Sequence, residues 1–319
     1  MKRIGVLTSG GDAPGMNAAV RAVARSAMSS GMEVVAIKKG YYGLINNLMF
    51  VMEPKSVSDI LHRGGTVLQT ARCLEFKTEE GQKIGIENAR KMGIEGLVVI
   101  GGDGSFRGAR VLSLNGIPTI GIPATIDNDI VCTEYCIGYD TALDTAKDAI
   151  DKLRDTCRSH ERCSIIEVMG HGAGDIAATI AVACGAEAAI VPEIPYDLDE
   201  IIANIKRGKK KGKEFNLIVV SEGICDVVAM AKKIEDETGI ETRATILGHT
   251  QRGGSPTVKD RVTATKMGIH AVELLKKGIG NRVVAVKSGE IVDYDILEGL
   301  NMERKFDDEL VRLATMLSM

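Results

Sequence analysis

Two apolar runs, each ending in an acidic residue among small ones, most constrain what this chain can fold into. Leu97–Ile100 leads into Gly101–Ser105, which contains Asp103, and Gly116–Ile120 leads into the segment Gly121–Asp129. Short apolar runs bounded by glycine and polar residues are typical of buried strands. The carboxyl ends of strands in open α/β sheets face the ligand-binding crevice. We therefore expect both segments to line one site, although acids are also common in ordinary turns.

The second of these segments carries a compact group of oxygen-bearing side chains. Asp127 and Asp129 are two positions apart, and Thr125 lies two positions before Asp127. Two strand ends that each supply a carboxylate beside small residues are what a magnesium–polyphosphate site with a nearby base requires.

Strand and helix patterns alternate along the 319 residues. This alternation predicts an α/β protein with mostly parallel sheets, and the length favours two domains or one large one. A short helix is predicted over Ser56–Arg63 and a long one from Gly138 to about Cys157. The other predicted strands are Arg3–Thr8, Glu33–Ile37, Cys163–Val168, Ala188–Val191, Phe215–Val220 and Val283–Val286.

Composition excludes several classes of protein. The net charge of −3 gives no sign of a nucleic-acid or membrane partner. No apolar run reaches the ~18 residues of a membrane span, and the N-terminus lacks the pattern of a secretory signal. The seven cysteines are scattered without paired spacing, so they indicate a reducing cytoplasm and no disulfide framework or zinc site.

A glycine-rich turn follows the first predicted strand. In Ser9–Gly15, Gly10 and Gly11 would let backbone amides approach a phosphate at a helix N-terminus, and Pro14 suits the first helical position. The segment matches neither the dinucleotide nor the Walker pattern, which disfavours an NAD-dependent dehydrogenase. By itself it predicts an anion-binding loop, for a nucleotide or for a sugar phosphate.

Seven ordered segments together resemble one family. They are LTSGGDAPGMN (7–17), HRGGT (62–66), TARC (70–73), GGDGS (101–105), TIDND (125–129), EVMG (167–170) and GHTQRGGSP (248–256). From Lys2 to about Leu300 the chain resembles the bacterial ATP-dependent 6-phosphofructokinases. The resemblance implies a magnesium-dependent glycolytic kinase that makes fructose 1,6-bisphosphate from ATP and fructose 6-phosphate. It also implies a cytoplasmic protein that assembles as a homotetramer.

The resemblance also implies two doubly wound domains. Residues 1–138 plus 251–301 would bind ATP, and residues 139–250 plus 302–319 would bind the sugar phosphate. Asp127 would be the general base, Asp103 would hold Mg²⁺, and Asp129 is a second candidate for the metal. The implied catalytic residues are Asp127, Thr125, Arg72 and Gly11; those for ATP are Gly11, Tyr41, Arg72, Cys73, Gly102, Asp103, Gly104 and Ser105.

The implied sugar-phosphate ligands include two arginines, Arg162 and Arg243, that a neighbouring subunit would lend. The full set is Thr125, Asp127, Arg162, Met169, Gly170, His171, Glu222, Arg243, His249 and Arg252.

A regulatory site for ADP or phosphoenolpyruvate is implied at a further set of residues, which includes part of the basic run Lys206–Lys213. That run would equally suit a solvated helix C-terminus, favoured by the helix dipole. Glu214 and Pro54 depart from the family's effector-site pattern. The implied set is Arg21, Arg25, Arg154, Gly185, Glu187, Lys211 and Lys213.

Two positions predict the phosphoryl donor. The related pyrophosphate-dependent enzymes carry Asp at position 104 and Lys at position 124, where this chain has Gly104 and Ala124. ATP is therefore favoured, and a pyrophosphate-dependent or other hexose-phosphate kinase is the alternative.

Two departures keep a different class of function open. The ATP-dependent enzymes usually have Gly at position 124 and Arg at position 171, where this chain has Ala124 and His171. An imidazole cannot replace a guanidinium at a bidentate phosphate contact. A catalytically weak paralogue that senses sugar phosphate and nucleotide is therefore a second hypothesis, against which the intact Asp103, Asp127 and Arg72 count.

Overall fold

A computed structural model describes residues 1–318, so Met319, the last residue of the predicted second domain, lies outside the described residues. The strands in this range are β1 (Arg3–Thr8), β2 (Glu33–Ile37), β3 (Met49–Val51), β4 (Gly96–Gly101), β5 (Thr119–Pro123), β6 (Cys163–Val168), β7 (Ala188–Ile190), β8 (Asn216–Ser221), β9 (Thr242–Ile246), β10 (Arg282–Lys287) and β11 (Glu290–Asp295). The helices are α1 (Met16–Ser29), α2 (Gly40–Ile45), α3 (Glu79–Lys91), α4 (Asp103–Leu114), α5 (Tyr139–Ser159), α6 (Asp175–Ala183), α7 (Leu198–Lys210), α8 (Val227–Thr238), α9 (Val258–Lys276), α10 (Ile296–Leu300) and α11 (Asp308–Leu317).

The chain forms two compact units. Of the described residues, the first unit contains 1–126, 130–141 and 252–304, and the second contains 127–129, 142–251 and 305–318. The chain therefore passes between the units after Ile126, after Asp129, within α5, after Gln251 and after Arg304.

The first unit is built on a seven-stranded sheet in the order β11-β10-β5-β4-β1-β2-β3. The five central strands are parallel, and β3 and β11 add antiparallel edges. Central strands such as Gly96–Gly101 are buried along their whole length, because helices cover both faces of a parallel sheet. Thr8 pairs with Ile100 and Gly101 with Pro123. The segments that follow β1, β4 and β5 therefore all leave the sheet at the carboxyl ends of its parallel strands.

The second unit contains a four-stranded parallel sheet in the order β7-β8-β6-β9. Its core is aliphatic, with Ile165, Ile190, Ile218 and Val220 from the strands packed against residues of α7 and α8. Val168 pairs with Ser221, and Glu167 pairs with Ile246. Met169 and Glu222 therefore both lie just beyond the carboxyl ends of their strands, on the same side of this sheet's strand ends.

The predicted α/β class with mostly parallel sheets is confirmed, and two predicted elements are wrong. Ser56–Arg63 is not a helix; a single 3₁₀ turn covers Pro54–Val57, and Asp59 takes a left-handed φ of 56° that breaks any continuation. The strand predicted over Gly116–Ile120 is β5, which lies three residues later. Gly116 instead has a φ of 84° in the turn that follows α4.

Three strands, β3, β9 and β11, have no counterpart in the prediction. Each lies at a sheet edge, and none is a continuous buried apolar run. Among the residues that the structure describes, no helix combines the length and the apolar character needed to cross a membrane.

Candidate active site

The glycine-rich turn after β1 lies against an arginine from the other end of the first unit. The Ser9 N–H donates to the Ile100 carbonyl at 2.9 Å, which ties the turn to β4. A Cβ added to Gly11 would lie 2.8 Å from Nη1 of Arg252, and Arg252 also lies 4.0 Å from the Asp12 carboxylate. The structure thus brings together Gly11, predicted for ATP, and Arg252, predicted for the sugar phosphate.

A buried amide fixes the neighbouring His62–Thr66 loop. Asn17, on α1, is 1% exposed; its Nδ2 donates to the carbonyls of Arg63 and Gly64 at 3.0 and 3.3 Å. Its Oδ1 accepts from the Val67 N–H at 2.7 Å. Sequence reasoning assigned no role to Asn17, although a polar residue among the apolar positions of α1 was a usable signal.

The same loop is also held by β1 and by a close backbone approach. The Thr8 and Thr66 hydroxyls are 2.9 Å apart, and Thr8 donates to the Gln69 carbonyl at 3.0 Å. A Cβ on Gly64 would lie 2.2 Å from the Gly254 carbonyl oxygen, so this position requires glycine. Arg72 is exposed and Cys73 half-buried in the irregular segment that follows.

The GGDGS segment begins α4 with a carboxylate. Asp103 lies in the first helical turn, where the helix dipole favours negative charge, and its Oδ2 is 3.1 Å from Arg107 Nη2. A Cβ on Gly101 would lie 2.3 Å from the Ser9 carbonyl oxygen and 2.7 Å from Ser105 Oγ, so glycine permits the two loops to meet. Added Cβ atoms at Gly102 and Gly104 would meet no atom within 4 Å.

Tyr41 lies in the core of the first unit. It is 6% exposed, its ring stacks on Phe76 at 4.3 Å between centroids, and its hydroxyl donates to the Ser105 carbonyl at 2.5 Å. Burial raises the pKa of this phenol far above its ordinary value. These contacts connect Tyr41 to the start of α4, and its predicted contact with the nucleotide stays a prediction.

Two carboxylates and an imidazole cluster in the second unit. Asp127 is buried, Asp129 is half-buried, and the His171 side chain is 81% exposed. One ligand atom from each lies within 4.8 Å of the others, and His171 Nδ1 is 3.6 Å from Asp129 Oδ2. Thr125 precedes this group and is half-buried.

The loop that carries His171 is held by two side chains of the second unit. Glu222 Oε1 accepts from the Gly170 N–H at 3.2 Å and from the His171 N–H at 3.0 Å. The Met169 N–H donates to Oε1 of Gln251, which is fully buried, at 2.8 Å. Sequence reasoning assigned no role to Gln251, and the predicted contact of Glu222 with the sugar phosphate stays a prediction.

One acidic residue, Glu241, forms ion pairs with both arginines that are predicted to bind a neighbouring subunit's sugar phosphate. Glu241 lies 2.8 Å from Arg162 Nε and 2.5 Å from Arg243 Nη2. The two guanidinium groups, Arg162 first, hold the pKa of Glu241 below its ordinary value of 4.5. Glu241 was not predicted from sequence. His249, in a 3₁₀ turn over Gly248–Arg252, is exposed.

Comparison with known proteins identifies the family. The phosphofructokinase family model matches residues 3–275. The chain belongs to the phosphofructokinase family. Proteins named ATP-dependent 6-phosphofructokinase from Bacillus pumilus and Clostridium botulinum are 57% and 56% identical to it over 318 residues, and each alignment covers 100% of both chains. The resemblance found in the sequence is thereby confirmed.

A solved phosphofructokinase structure shares the fold. The structure from Saccharomyces cerevisiae matches 94% of this chain with a TM-score of 0.89 and 33% identity. This chain spans 45% of the length of that yeast chain. The architecture of this family member, with its mostly parallel sheets, is therefore that of a known phosphofructokinase.

The predicted effector residues of this phosphofructokinase occur in both units. In the first, Arg21 is half-buried on α1, and Arg25 donates to the Pro54 carbonyl at 2.9 Å. In the second, Arg154 donates to the Cys184 carbonyl, next to Gly185, which has a φ of 61°.

A buried ion pair lies at the wall of a cavity in the second unit. Glu187 is 6% exposed and lies 2.6 Å from Lys213 Nζ, which also donates to the Ser318 carbonyl at 2.8 Å. Burial raises the pKa of Glu187, while the hydrogen bond from Lys213 opposes the shift. Both residues line a cavity of about 460 Å³ together with Lys211 and Arg207. An excess of cations around this cavity suits an anionic ligand.

Proposed function

We propose that this phosphofructokinase transfers the γ-phosphoryl group of ATP to the 1-hydroxyl of fructose 6-phosphate, giving fructose 1,6-bisphosphate and ADP in glycolysis. The observation that carries the proposal is the identity of 56% to 57%, over the full length of both chains, to proteins named for this activity. The acids and glycines at the strand ends supply the chemistry that the reaction needs.

Asp127 is the proposed general base. It is buried beside Asp129 and His171, and a carboxylate there would accept the proton of the attacking hydroxyl. A carboxylate is a weak base, but a loose phosphoryl-transfer transition state requires the proton to leave only late. Thr125, Arg72 and the Gly11 amide are the proposed stabilisers of the moving phosphoryl group. Arg72 suits this role because its guanidinium is permanently charged and forked.

A divalent metal is required by kinases of this type, and we propose Mg²⁺. Asp103 fits it: its carboxylate supplies the hard oxygen ligands that Mg²⁺ prefers, and 49% exposure leaves it accessible beside its ion pair with Arg107. Bound with ATP, Mg²⁺ would neutralise charge on the β- and γ-phosphates. Asp129 is the proposed second carboxylate for this ion.

ATP is the proposed donor. Gly104 is the second residue of α4, in its first turn. Its added Cβ would meet no atom within 4 Å, so packing does not require glycine there. We propose that glycine is used at position 104 because it leaves space for the nucleotide, which an Asp side chain would fill. The buried Ala124 leaves no lysine beside the phosphates.

The units have separate proposed roles. The domain of residues 1–138 plus 251–301 would bind ATP, and that of residues 139–250 plus 302–319 would bind fructose 6-phosphate. We also propose a cytoplasmic homotetramer in which Arg162 and Arg243 serve a neighbouring subunit's sugar phosphate. The cation-lined cavity beside Glu187 and Lys213 is the proposed site for the phosphates of ADP or phosphoenolpyruvate.

A coupled assay of the full chain tests the donor and the reaction together. Fructose 6-phosphate would be supplied with Mg²⁺ and either ATP or pyrophosphate, and fructose 1,6-bisphosphate would be measured. We expect product with ATP and little with pyrophosphate. Equal or faster turnover with pyrophosphate would reverse the donor assignment, and no product with either donor would favour the sensor hypothesis.

A further inference from the structure

We propose that Asp127, Asp129 and His171 form a binding site for a transition-metal dication of the zinc class. Its imidazole ligand distinguishes it from the proposed magnesium site at Asp103, with which it would share Asp129. The three ligand atoms lie within 4.8 Å of one another, all in the second unit. The cysteines gave no indication of zinc, but an imidazole beside two carboxylates is a ligand set of a different kind.

The donor atoms decide which cations the site selects. Magnesium prefers an octahedron of oxygens, whereas zinc readily accepts imidazole nitrogen with carboxylate oxygen, usually in a tetrahedron. His171 supplies the nitrogen, and Asp127 and Asp129 supply the oxygens. Three protein ligands leave the fourth position of a tetrahedral ion for water or a substrate oxygen.

The distances are close to those that such an ion needs. Zinc binds these donors at about 2.0–2.2 Å, so two ligand atoms in a tetrahedral site are about 3.4 Å apart. His171 Nδ1 and Asp129 Oδ2 are already 3.6 Å apart. The ligand atoms of the cluster that are farthest apart would have to approach each other by on the order of 1 Å. The 81% exposure of the His171 side chain leaves the imidazole room to turn towards the carboxylates.

The backbone beneath the imidazole is held in place. The Gly170 and His171 N–H groups both donate to Glu222, and the Met169 N–H donates to the buried Gln251. His171 has a left-handed φ of 48°, a conformation that is uncommon for a non-glycine residue and that the hydrogen bonds to Glu222 help to hold. A ligand on a restrained backbone loses less conformational entropy on binding than one on a mobile loop.

The consequence for catalysis rests on the proposed function. A metal bound to Asp127 would occupy the lone pair that must accept the proton of the sugar hydroxyl. Zinc would therefore inhibit the magnesium-supported reaction, and the inhibition would depend on His171. The binding itself does not require that the chain be a kinase.

The direct test is a calorimetric titration of zinc into the metal-free full chain, without nucleotide or sugar. A parallel cobalt(II) titration, followed by visible absorption, reports on coordination rather than activity. We expect wild type to bind zinc with His171 as a ligand. His171→Arg, which replaces that ligand by a cation, should weaken binding at least about tenfold and remove the cobalt spectrum.

The chain offers a matched control. His270 also faces a carboxylate, at 2.9 Å from Asp293, but Arg282 occupies that carboxylate at 2.6 Å. His270→Asn should leave the affinity of the proposed site for zinc unchanged. Asp129→Asn should weaken binding, and it provides a second variant if His171→Arg does not fold, as judged by thermal unfolding.

Equal zinc affinities of wild type, His171→Arg and Asp129→Asn would overturn the proposal, as would no zinc binding by wild type below millimolar concentration. A different result would contradict the kinase assignment: the zinc-free enzyme would make no fructose 1,6-bisphosphate. Zinc binding that needs His171 would support the site in either case.

Discussion

The two compact units hold their predicted ligand-binding residues in different ways. In the first, uncharged groups fix the His62–Thr66 loop: the Asn17 amide, the Thr8 hydroxyl and the close backbone approach at Gly64. In the second, carboxylates hold the loops and cations. Glu222 binds two backbone amides, Glu241 pairs with two arginines, and Glu187 pairs with Lys213.

This difference has consequences for ligand binding. Uncharged hydrogen bonds around a backbone loop are insensitive to an incoming anion, so we expect the His62–Thr66 loop to keep its shape when a phosphate binds nearby. A phosphate that approaches Arg162 or Lys213 meets a cation already paired with an acid. A phosphate that binds in the second unit would therefore compete with a protein carboxylate for the cation. The strength of that competition would depend on salt, because salt screens the ion pair.

The largest expected effect is at Asp127, the carboxylate of the second unit that is proposed to act as the general base. Asp127→Ser should reduce turnover by about 10²–10⁴-fold, the usual contribution of a general base. Binding of fructose 6-phosphate, measured without ATP, should be retained. Turnover within threefold of wild type would remove Asp127 from the role of base.

A pair of glycine variants tests the shaped loops of the first unit. A Cβ on Gly64 would meet the Gly254 carbonyl oxygen at 2.2 Å, so Gly64→Ala must displace backbone. We expect it to lower the free energy of unfolding by about 1–3 kcal/mol, as overpacking usually does, and to lower turnover at least tenfold. Chemical denaturation and the kinase assay measure the two effects.

Gly104→Ala is the matched control, since its Cβ would meet no atom within 4 Å inside α4. Helix propensity predicts that the free energy of unfolding stays equal or rises by up to about 1 kcal/mol. Its KM for ATP should rise while that for fructose 6-phosphate does not. Equal stabilities of the Gly64 and Gly104 variants would contradict a tightly packed loop at Gly64.

The sequence predicted the buried parts of the fold better than its edges. Leu97–Ile100 is a continuous apolar run, and the structure places β4 over Gly96–Gly101, around that run. The edge strand β11 carries charged residues and is half-exposed, so it has no comparable signal. The predicted helix over Ser56–Arg63 failed because its pattern does not report the left-handed Asp59.

In the candidate site, too, some residues could be predicted from the sequence and others could not. The acids and glycines at strand ends could be found because they interrupt apolar runs in a fixed order. Asn17, Gln251 and Glu241 act through distant backbone or side-chain partners, at separations such as 46 residues for Asn17 with Arg63 and 82 for Gln251 with Met169. No local pattern encodes such partners, so they required the structure.

Arg162→Ser tests whether the charged residues of the second unit serve a neighbouring subunit. It should raise the KM for fructose 6-phosphate about 10- to 100-fold, the loss of charge-assisted hydrogen bonds, and leave the KM for ATP nearly unchanged. Mixed assemblies of Asp127→Ser and Arg162→Ser chains should recover activity, because some sites would have both residues intact. Subunits that demonstrably exchange without recovery would rule out sharing through Arg162.

The smallest expected effect concerns the competing acid itself. Glu241→Gln removes the charge that holds Arg162 and Arg243, so a sugar phosphate would no longer displace a carboxylate. Exposed ion pairs are weak, so we expect a KM for fructose 6-phosphate that is only about two- to fivefold lower. Glu214→Gln is the control, since Glu214 pairs with Arg158, at 3.1 Å, and neither residue is a predicted ligand of the sugar phosphate.

The pH dependence of this effect has a defined sign. Because Arg162 and then Arg243 hold the pKa of Glu241 below 4.5, the carboxylate stays ionised at neutral pH and protonates only in stronger acid. The ratio of the wild-type KM to the Glu241→Gln KM should therefore be constant from about pH 6 to pH 8, and it should shrink as salt screens the ion pairs. A KM that rises in the variant would mean that Glu241 orients the two arginines for the phosphate. The second unit would then resemble the first, with its binding groups preformed.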